Sequence, residues 1–250
     1  MQVLFGSTGL IGSVLQEHTT FDACFSSANF KDISSLDAID HLFLCCLPAT
    51  KWKVNQDPLM DLHNIFAIVD ALSNLRVRRI TLFSTIDIYV NCPMGMNEEC
   101  LPALGKPSYG SNRFLFEQLV KLHTSHEKLQ IIRLPALYHR LIKKNILFDL
   151  LHDHETEKIN ANSAFQWYPL SLLWSDLQDC EDSGIFNFFP APIETSSILD
   201  EFFPHVATCY GPRMEYNHFT RHTLSGYWHW PSTVGENYSL LGDFIREARS

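Results

Sequence analysis

Gln2-Val3-Leu4-Phe5 is an apolar run of strand length that leads straight into Gly6-Ser7-Thr8-Gly9-Leu10-Ile11-Gly12, and residues 9–17 then carry a helical pattern. A glycine-rich turn between a buried strand and a helix is a phosphate cradle. The first glycine permits the tight turn, the second lets backbone N–H groups approach a pyrophosphate, and the third lets the helix lie close on the strand. The helix N-terminus, with its unpaired N–H groups and partial positive charge, faces the anion. Gly6, Thr8, Gly9, Leu10, Ile11 and Gly12 are therefore the first candidate cofactor contacts.

Strands and helices alternate from there. Ala23 to Ser26 reads as a second strand, and His41 to Leu47 as a continuous apolar strand buried on both faces. Leu59, Leu62, Ile65, Phe66, Val69 and Leu72 follow helical spacing within a helix expected over 55–75. Arg78 to Phe83 is a strand, 90–107 a long loop, Ser108 to about His126 a helix, and Leu129 to Leu134 a strand. This alternation predicts an α/β fold with a parallel, doubly wound sheet. The rest is less regular: a helix over 141–152, a short helix over 170–177, and a late strand over 185–189. We expect a Rossmann-type domain over 1–138. In 139–250, a small substrate lobe (139–165 and 190–250) joins late sheet elements (166–189).

The end of the second strand bears on the cofactor. An Asp or Glu there usually holds a free ribose 2′-hydroxyl; this chain has Ser26, Ser27, Asn29 and Lys31 instead. Small hydroxyls and a lysine suit a 2′-phosphate, so NADP is slightly favoured over NAD. The formal charge of −9 with no basic stripe argues against a nucleic-acid partner. No apolar run approaches the length of a membrane span, and no signal peptide is visible. Seven cysteines, none in a CxxC pair, fit a reducing cytoplasm.

Tyr109 and Arg113 lie four apart at the start of a helix and so share a face. A tyrosine works as acid or base when its pKa is brought down from about 10, and a fixed cation one turn away does this. Thr85, at the end of the strand Arg78–Phe83, is placed to hydrogen-bond the same reacting oxygen. Asp87, two residues on, is a candidate second base and substrate contact. Gln166 and Tyr168, in Phe165-Gln166-Trp167-Tyr168, and Lys53, with Lys51, are candidate substrate contacts. His152, Asp153, His154 and Glu155 match no compact zinc pattern and read as a solvated helix end; no metal is expected. His218, His222, Trp228, His229 and Trp230 read as packing or as a pocket lining.

These residues resemble the extended branch of the short-chain dehydrogenase/reductase superfamily, the NAD-dependent epimerase/dehydratase group. Gly6, Gly9 and Gly12 resemble its TGxxGxxG turn, and Asp57-Pro58 with Asn64 its DP…N segment. Ser84-Thr85-Ile86-Asp87-Ile88-Tyr89 resembles its SSxxVY strand end, Pro107 to Arg113 its PxxxYGxSK helix start, and Arg133 with Tyr138 its RxxNxYGP strand end. The resemblance implies a Rossmann fold and a bound NAD(P). It implies further cofactor contacts at Cys46, Leu47, Pro48, Ser84, Arg113 and Pro135. It also implies keto reduction, epimerisation or dehydration of a sugar, most often nucleotide-linked, and a homodimer through the helices at 55–75 and 108–126. The departures are specific. Arg113 stands for the family lysine, keeping the charge but unable to lose a proton. Phe5 stands for a Thr, Ala136 for an Asn and His139 for a Gly. The alternative is a catalytically degenerate NAD(P)-binding sensor or assembly module.

Overall fold

The structure is a computed structural model that describes residues 1–102, 105–181, 183–222, 230 and 234–250. The elements are β1 (Gln2–Phe5), α1 (Leu10–His18), β2 (Ala23–Phe25), β3 (Ala38–Leu44), α2 (Lys51–Gln56), α3 (Pro58–Leu72), β4 (Arg76–Thr85), α4 (Tyr109–His123) and β5 (Ser125–Leu134). Then come β6 (Ala136–Tyr138), α5 (Ile146–His152), β7 (Ser163–Pro169), α6 (Leu173–Asp179), β8 (Gly184–Asn187), β9 (Pro192–Glu194), α7 (Thr195–Phe202), β10 (Met214–Glu215) and α8 (Val234–Ala248). Among the described residues no helix is long and apolar enough to cross a membrane. All seven cysteines are free thiols.

The chain divides into two compact units. The first comprises 1–93, 100–133 and 173–186. Its six-stranded sheet runs β2-β1-β3-β4-β5-β8, and β1 pairs in parallel with β2 and β3, as β3 does with β4. The order turns back on itself at β1, so the carboxyl ends of β1 and β3 flank the switch point where such sheets bind ligands. Segment 26–37 has room only for a 3-10 turn at Phe30–Ser35, and β3 follows directly beside β1. Val3, Leu42, Leu44, Ile65, Leu72, Ile80 and Val120 are buried in one core. Each such side chain contributes roughly 1.5–3 kcal/mol by leaving water.

The second unit comprises 94–99, 134–172 and 187–250. Its sheet runs β10-β7-β6, with β9 antiparallel to β7. The expected domain boundary at 138 therefore differs from the observed division. α6 and β8 belong to the first unit, β7 forms its own sheet with β6, and segment 94–99 joins the second unit. That segment is held there by backbone bonds Gly95 N–H to Asn217 O and Phe219 N–H to Met96 O.

Several element bounds moved for identifiable reasons. The helix expected over 55–75 is two helices, because Pro58 bars a helical Asp57; Asp57 is extended (φ −137°, ψ 74°) and caps α3 by accepting from Met60 N–H at 3.0 Å. α4 stops at His123 because the Thr124 hydroxyl closes on Val120 O at 2.6 Å. α5 starts at Ile146 rather than 141, because Asn145 sits at φ +105° and caps Phe148 N–H at 3.1 Å. The helices α7 and α8, absent from the elements expected above, are amphipathic: Ile198, Leu199 and Phe202 of α7 and Leu241 and Ile245 of α8 are buried.

Candidate active site

The glycine turn is as tight as its residues predict. Gly6 sits at φ +110°, and a Cβ there would lie 2.4 Å from Cys45 O. A Cβ on Gly12 would lie 2.2 Å from Gly6 O. Both positions are closed to any side chain; Gly9 is less crowded, its nearest contact being 3.3 Å. The first helical bond of α1 runs from Ser13 N–H to Gly9 O at 2.9 Å, so the N–H groups of residues 10–12 precede the ladder. No acidic residue occupies the first turn of α1. An N-terminus of this kind, free of competing carboxylate, fits a diphosphate. Thr8 is exposed, and Leu10 and Ile11 are half-buried.

Thr85, Asp87, Tyr109 and Arg113 come together in the same unit. β4 ends at Thr85, whose Oγ1 accepts from Asp87 N–H at 3.2 Å and opens a 3-10 turn over Ile86–Tyr89. Ser108 caps α4. A Cβ on Gly110 would lie 2.0 Å from Asp87 O, so the first turn of α4 rests on that backbone. Asn55 Oδ1 of α2 accepts from Tyr109 N–H at 2.8 Å. Burial pushes the Tyr109 phenol above its ordinary value. The Arg113 charge opposes that shift, the Asp87 charge adds to it, and hydrogen bonds from Arg113 and Thr85 oppose it. The expected lowering by a neighbouring cation is thus outweighed by desolvation.

Arg113 is also held by a carboxylate that sequence reading passed over, Asp61. Arg113 Nη1 donates to Asp61 Oδ2 at 2.8 Å, and Nη2 donates to Asp61 Oδ1 at 3.0 Å and to Pro48 O at 2.8 Å. Asn112 Nδ2 also donates to Asp61 Oδ2 at 2.8 Å. Both charged side chains are buried, at 5% and 3% exposure. A planar fork matched to a carboxylate is the strong form of the ion pair, and its buried charges compensate each other. The guanidinium still lies over the Tyr109 ring, 4.6 Å from its centre. The signal for Asp61 was its helical register with Ile65, Ile68 and Leu72, which places a carboxylate on the buried face of α3.

Lys51 makes the second ion pair of the cluster: Nζ lies 2.6 Å from Asp87 Oδ1. Lys53 is exposed, with its ammonium 5.4 Å from the Trp52 ring centre. Ser84 is turned to Glu117 Oε1. Glu117 also accepts from Arg133 Nε and Nη2, and Arg133 Nη1 donates to Tyr89 Oη at 2.6 Å, so the resemblance at Arg133 falls on a buried brace. Cys46 and Leu47 are half-buried and Pro48 exposed; burial pushes the Cys46 thiol up to about 12. Past β2, Asn29 Oδ1 accepts from Ser26 N–H at 2.8 Å and from the Ser26 hydroxyl at 3.2 Å, with Ser27 exposed beside them.

In the second unit Pro135 is buried just after β5. Gln166 is a bolt rather than an open contact. Its Nε2 donates to Pro190 O and His218 O, and its Oε1 accepts from His218 N–H. Tyr168 is 0% exposed. These two expected substrate contacts are in the packing of their own unit, because β7 forms the middle of its sheet. Trp230 is buried, and Trp228 and His229 lie outside the described residues.

No family model matches the chain, and no curated protein does. Among solved structures it is similar to MoeE5 in complex with UDP-glucose and NAD, at 15% identity and a TM-score of 0.71, covering 100% of this chain and 99% of that one. It is also similar to dTDP-4-dehydrorhamnose reductase from Bacillus anthracis in complex with NADP, at 15% identity, a TM-score of 0.69 and 98% and 97% coverage. A third is UDP-glucose 4-epimerase from Thermotoga maritima with UDP-glucose, at 14% identity, a TM-score of 0.70 and 100% coverage of each chain. Likeness over whole chains at such identities is a likeness of fold: this chain has the α/β fold of those three structures.

Proposed function

We propose that the chain is an NAD(P)-dependent enzyme of the epimerase, dehydratase or reductase kind, acting on a nucleotide-linked keto sugar. The observation that carries this reading is the convergence of Thr85, Asp87 and Tyr109 at the carboxyl end of β4, in the same unit as a glycine turn that a single Cβ would fill. Gly6, Gly9 and Gly12, with the N–H groups opening α1, would hold the diphosphate. Ser26, Ser27 and Asn29 would meet the adenine ribose, with NADP slightly favoured. When bound, the nicotinamide exchanges hydride with the sugar carbon. Tyr109 passes a proton to or from the oxygen on that carbon, and Thr85 orients that oxygen. Because burial holds the phenol neutral, Tyr109 is suited to donate to a carbonyl, which favours reduction. Asp87 is the second base for epimerisation or elimination. Arg113, held by Asp61 and Pro48, fixes the start of α4 and the Tyr109 ring.

Mass spectrometry of the nucleotide released on denaturation tests the reading. Tightly held NAD⁺ would indicate an internal redox cycle and refute the NADP preference. NADP(H) would support a reductase. No nucleotide, followed by no binding of NAD(H) or NADP(H) in titration, would end the proposal. With a 4-keto nucleotide sugar and NADPH, Tyr109→Phe should lower turnover about 10²–10⁴-fold; unchanged turnover would refute the role.

A second reading has its own support. The neutralising of Arg113 by Asp61 suits a nucleotide-binding module without turnover. In that case nucleotide binds, no keto sugar is reduced, and Tyr109→Phe changes nothing.

A further inference from the structure

Arg113 favours the Tyr109 phenolate by charge and hydrogen bond while its guanidinium also donates two hydrogen bonds to buried Asp61. The backbone of Asp87 lies against Gly110 at the start of α4, and the Asp87 charge disfavours the Tyr109 phenolate. An uncompensated carboxylate within a few ångströms of a phenol opposes its ionisation. A tyrosine that must cycle between phenol and phenolate is poorly served by burial and that carboxylate charge together. The geometry supplies a compensating cation from a third direction. Lys51 opens α2, Asn55 of the same helix accepts from Tyr109 N–H, and Lys51 Nζ reaches Asp87 Oδ1 at 2.6 Å. The groups around the phenol are then Arg113 with Asp61 behind it from α4 and α3. Thr85 and Asp87 come from the end of β4, and Lys51 with Asn55 from α2.

We propose that Lys51 is a positioning residue for Tyr109: by pairing with Asp87 it offsets, from α2, the carboxylate charge that works against the support Arg113 gives the phenolate. The inference rests on the reading of Tyr109 as the acid/base and deepens it. Lys51 is 43% exposed and Asp87 15%, so the pair is partly screened and its effect is modest, whereas the Arg113–Asp61 pair is structural.

The test needs neither substrate nor cofactor. The chain is labelled with 3-fluorotyrosine, which ionises at lower pH than tyrosine. Its ¹⁹F resonances are followed against pH, and the Tyr109 signal is assigned by its loss in Tyr109→Phe. Lys51→Met should raise the apparent pKa of residue 109 by about one unit, the scale for an uncompensated neighbouring carboxylate. Lys51→Arg, which keeps the charge, should titrate as the parent does. Lys51→Met with Asp87→Asn, which removes both charges, should return towards the parent. Should Lys51→Met fold poorly by circular dichroism, Lys51→Gln gives the same reading.

The inference is overturned if the neutral variant titrates like the parent, if Lys51→Arg shifts as far as Lys51→Met, or if the double variant fails to restore the parent value. The nucleotide measurement is separate. A chain that binds no nicotinamide nucleotide but shows this pattern would refute the proposed function while leaving the Lys51–Asp87 coupling in place.

Discussion

In the first unit the strands β1 and β3 are bonded backbone to backbone, and side chains such as Asn55 and Arg113 hold backbone only beside the sheet; in the second, side chains repeatedly tie one loop to another. β1 is matched residue for residue to β3, from Gln2 opposite His41 to Phe5 opposite Leu44. In the second unit Gln166 holds the backbone of Pro190 and His218. Asn160 holds Pro212 O and Gly211 N–H, and Asn237 holds Ala191 O. The glycine turn takes the first strategy to its limit, since there the absence of a side chain is what shapes the backbone. A ladder tolerates many sequences of the right pattern. A bolt depends on one amide or carboxylate in one place.

The sharpest way to break the contrast is to add atoms to the turn. In Gly12→Ala the new Cβ meets Gly6 O at 2.2 Å, backbone against backbone, with no flexible side chain to give way. The expected loss is about 3–4 kcal/mol, the scale of strain at a closed backbone site. Hydrogen exchange should accelerate across β1, β2 and β3. Gly9→Ala, with 3.3 Å of room, should lose only about 1 kcal/mol, as for an N-cap glycine replaced by Ala. Equal losses would mean that the turn relaxes as a whole and that the close approach is not what holds it.

That difference also explains what could be read from sequence. The apolar runs of β1 and β3 and the 3.6-residue period of α3 carry their own signature, because each buries a regular face in a common core. Tyr109, Thr85 and Asp87 were legible because they stand at fixed offsets from strand and helix ends. Asp61 was not: a carboxylate inside a helix is usually a solvated one, and only its buried register marks it. Gln166 shows the reverse case. A polar residue in an aromatic strand looks like a ligand contact, yet here it ties irregular backbone. Helices α7 and α8 do carry a helical period, in Ile198, Leu199 and Phe202 and in Leu241 and Ile245, but the flanking prolines and aromatic residues hid it, so the second unit was legible only as a lobe. The expectation of late sheet elements over 166–189 allowed for a return of the chain; that α6 and β8 rejoin the first unit while β7 does not is set by long-range contacts that no local pattern records.

Acid should reveal the second strategy. His218 is buried among the groups that Gln166 organises, and its Nδ1 accepts from Met96 N–H at 3.3 Å. Burial lowers its pKa to about 4. The unfolded chain takes up a proton near pH 6.5 while the folded chain does not. The stabilising difference is therefore complete above about pH 6.5 and is lost as pH falls towards 4. The loss is about 3 kcal/mol over that window. His218→Asn keeps an acceptor for Met96 N–H but has no proton to gain. It should flatten the fall in stability over that window, measured by urea unfolding followed through hydrogen exchange in segments 94–99 and 214–220. An identical slope in the variant would place the acid sensitivity elsewhere.

The smallest expected effect separates a bolt from mere packing. Glu98 accepts at Oε1 from Asn187 N–H at 2.7 Å and from the Thr220 hydroxyl at 2.6 Å, and at Oε2 from Arg221 N–H at 2.9 Å. Glu98→Gln is nearly isosteric, so it leaves the volume intact and changes only the chemistry. Its one carbonyl oxygen can keep the first two donors, and its amide then faces Arg221 N–H, donor against donor. The expected loss is about 2 kcal/mol, the scale of a hydrogen bond to a charged group exchanged for an unsatisfied donor. Faster exchange should be confined to Arg221 and its neighbours, with β1 and β3 unchanged. If Glu98→Gln is as stable as the parent, then shape alone holds segment 94–99, and the second unit is packed rather than bolted at that point.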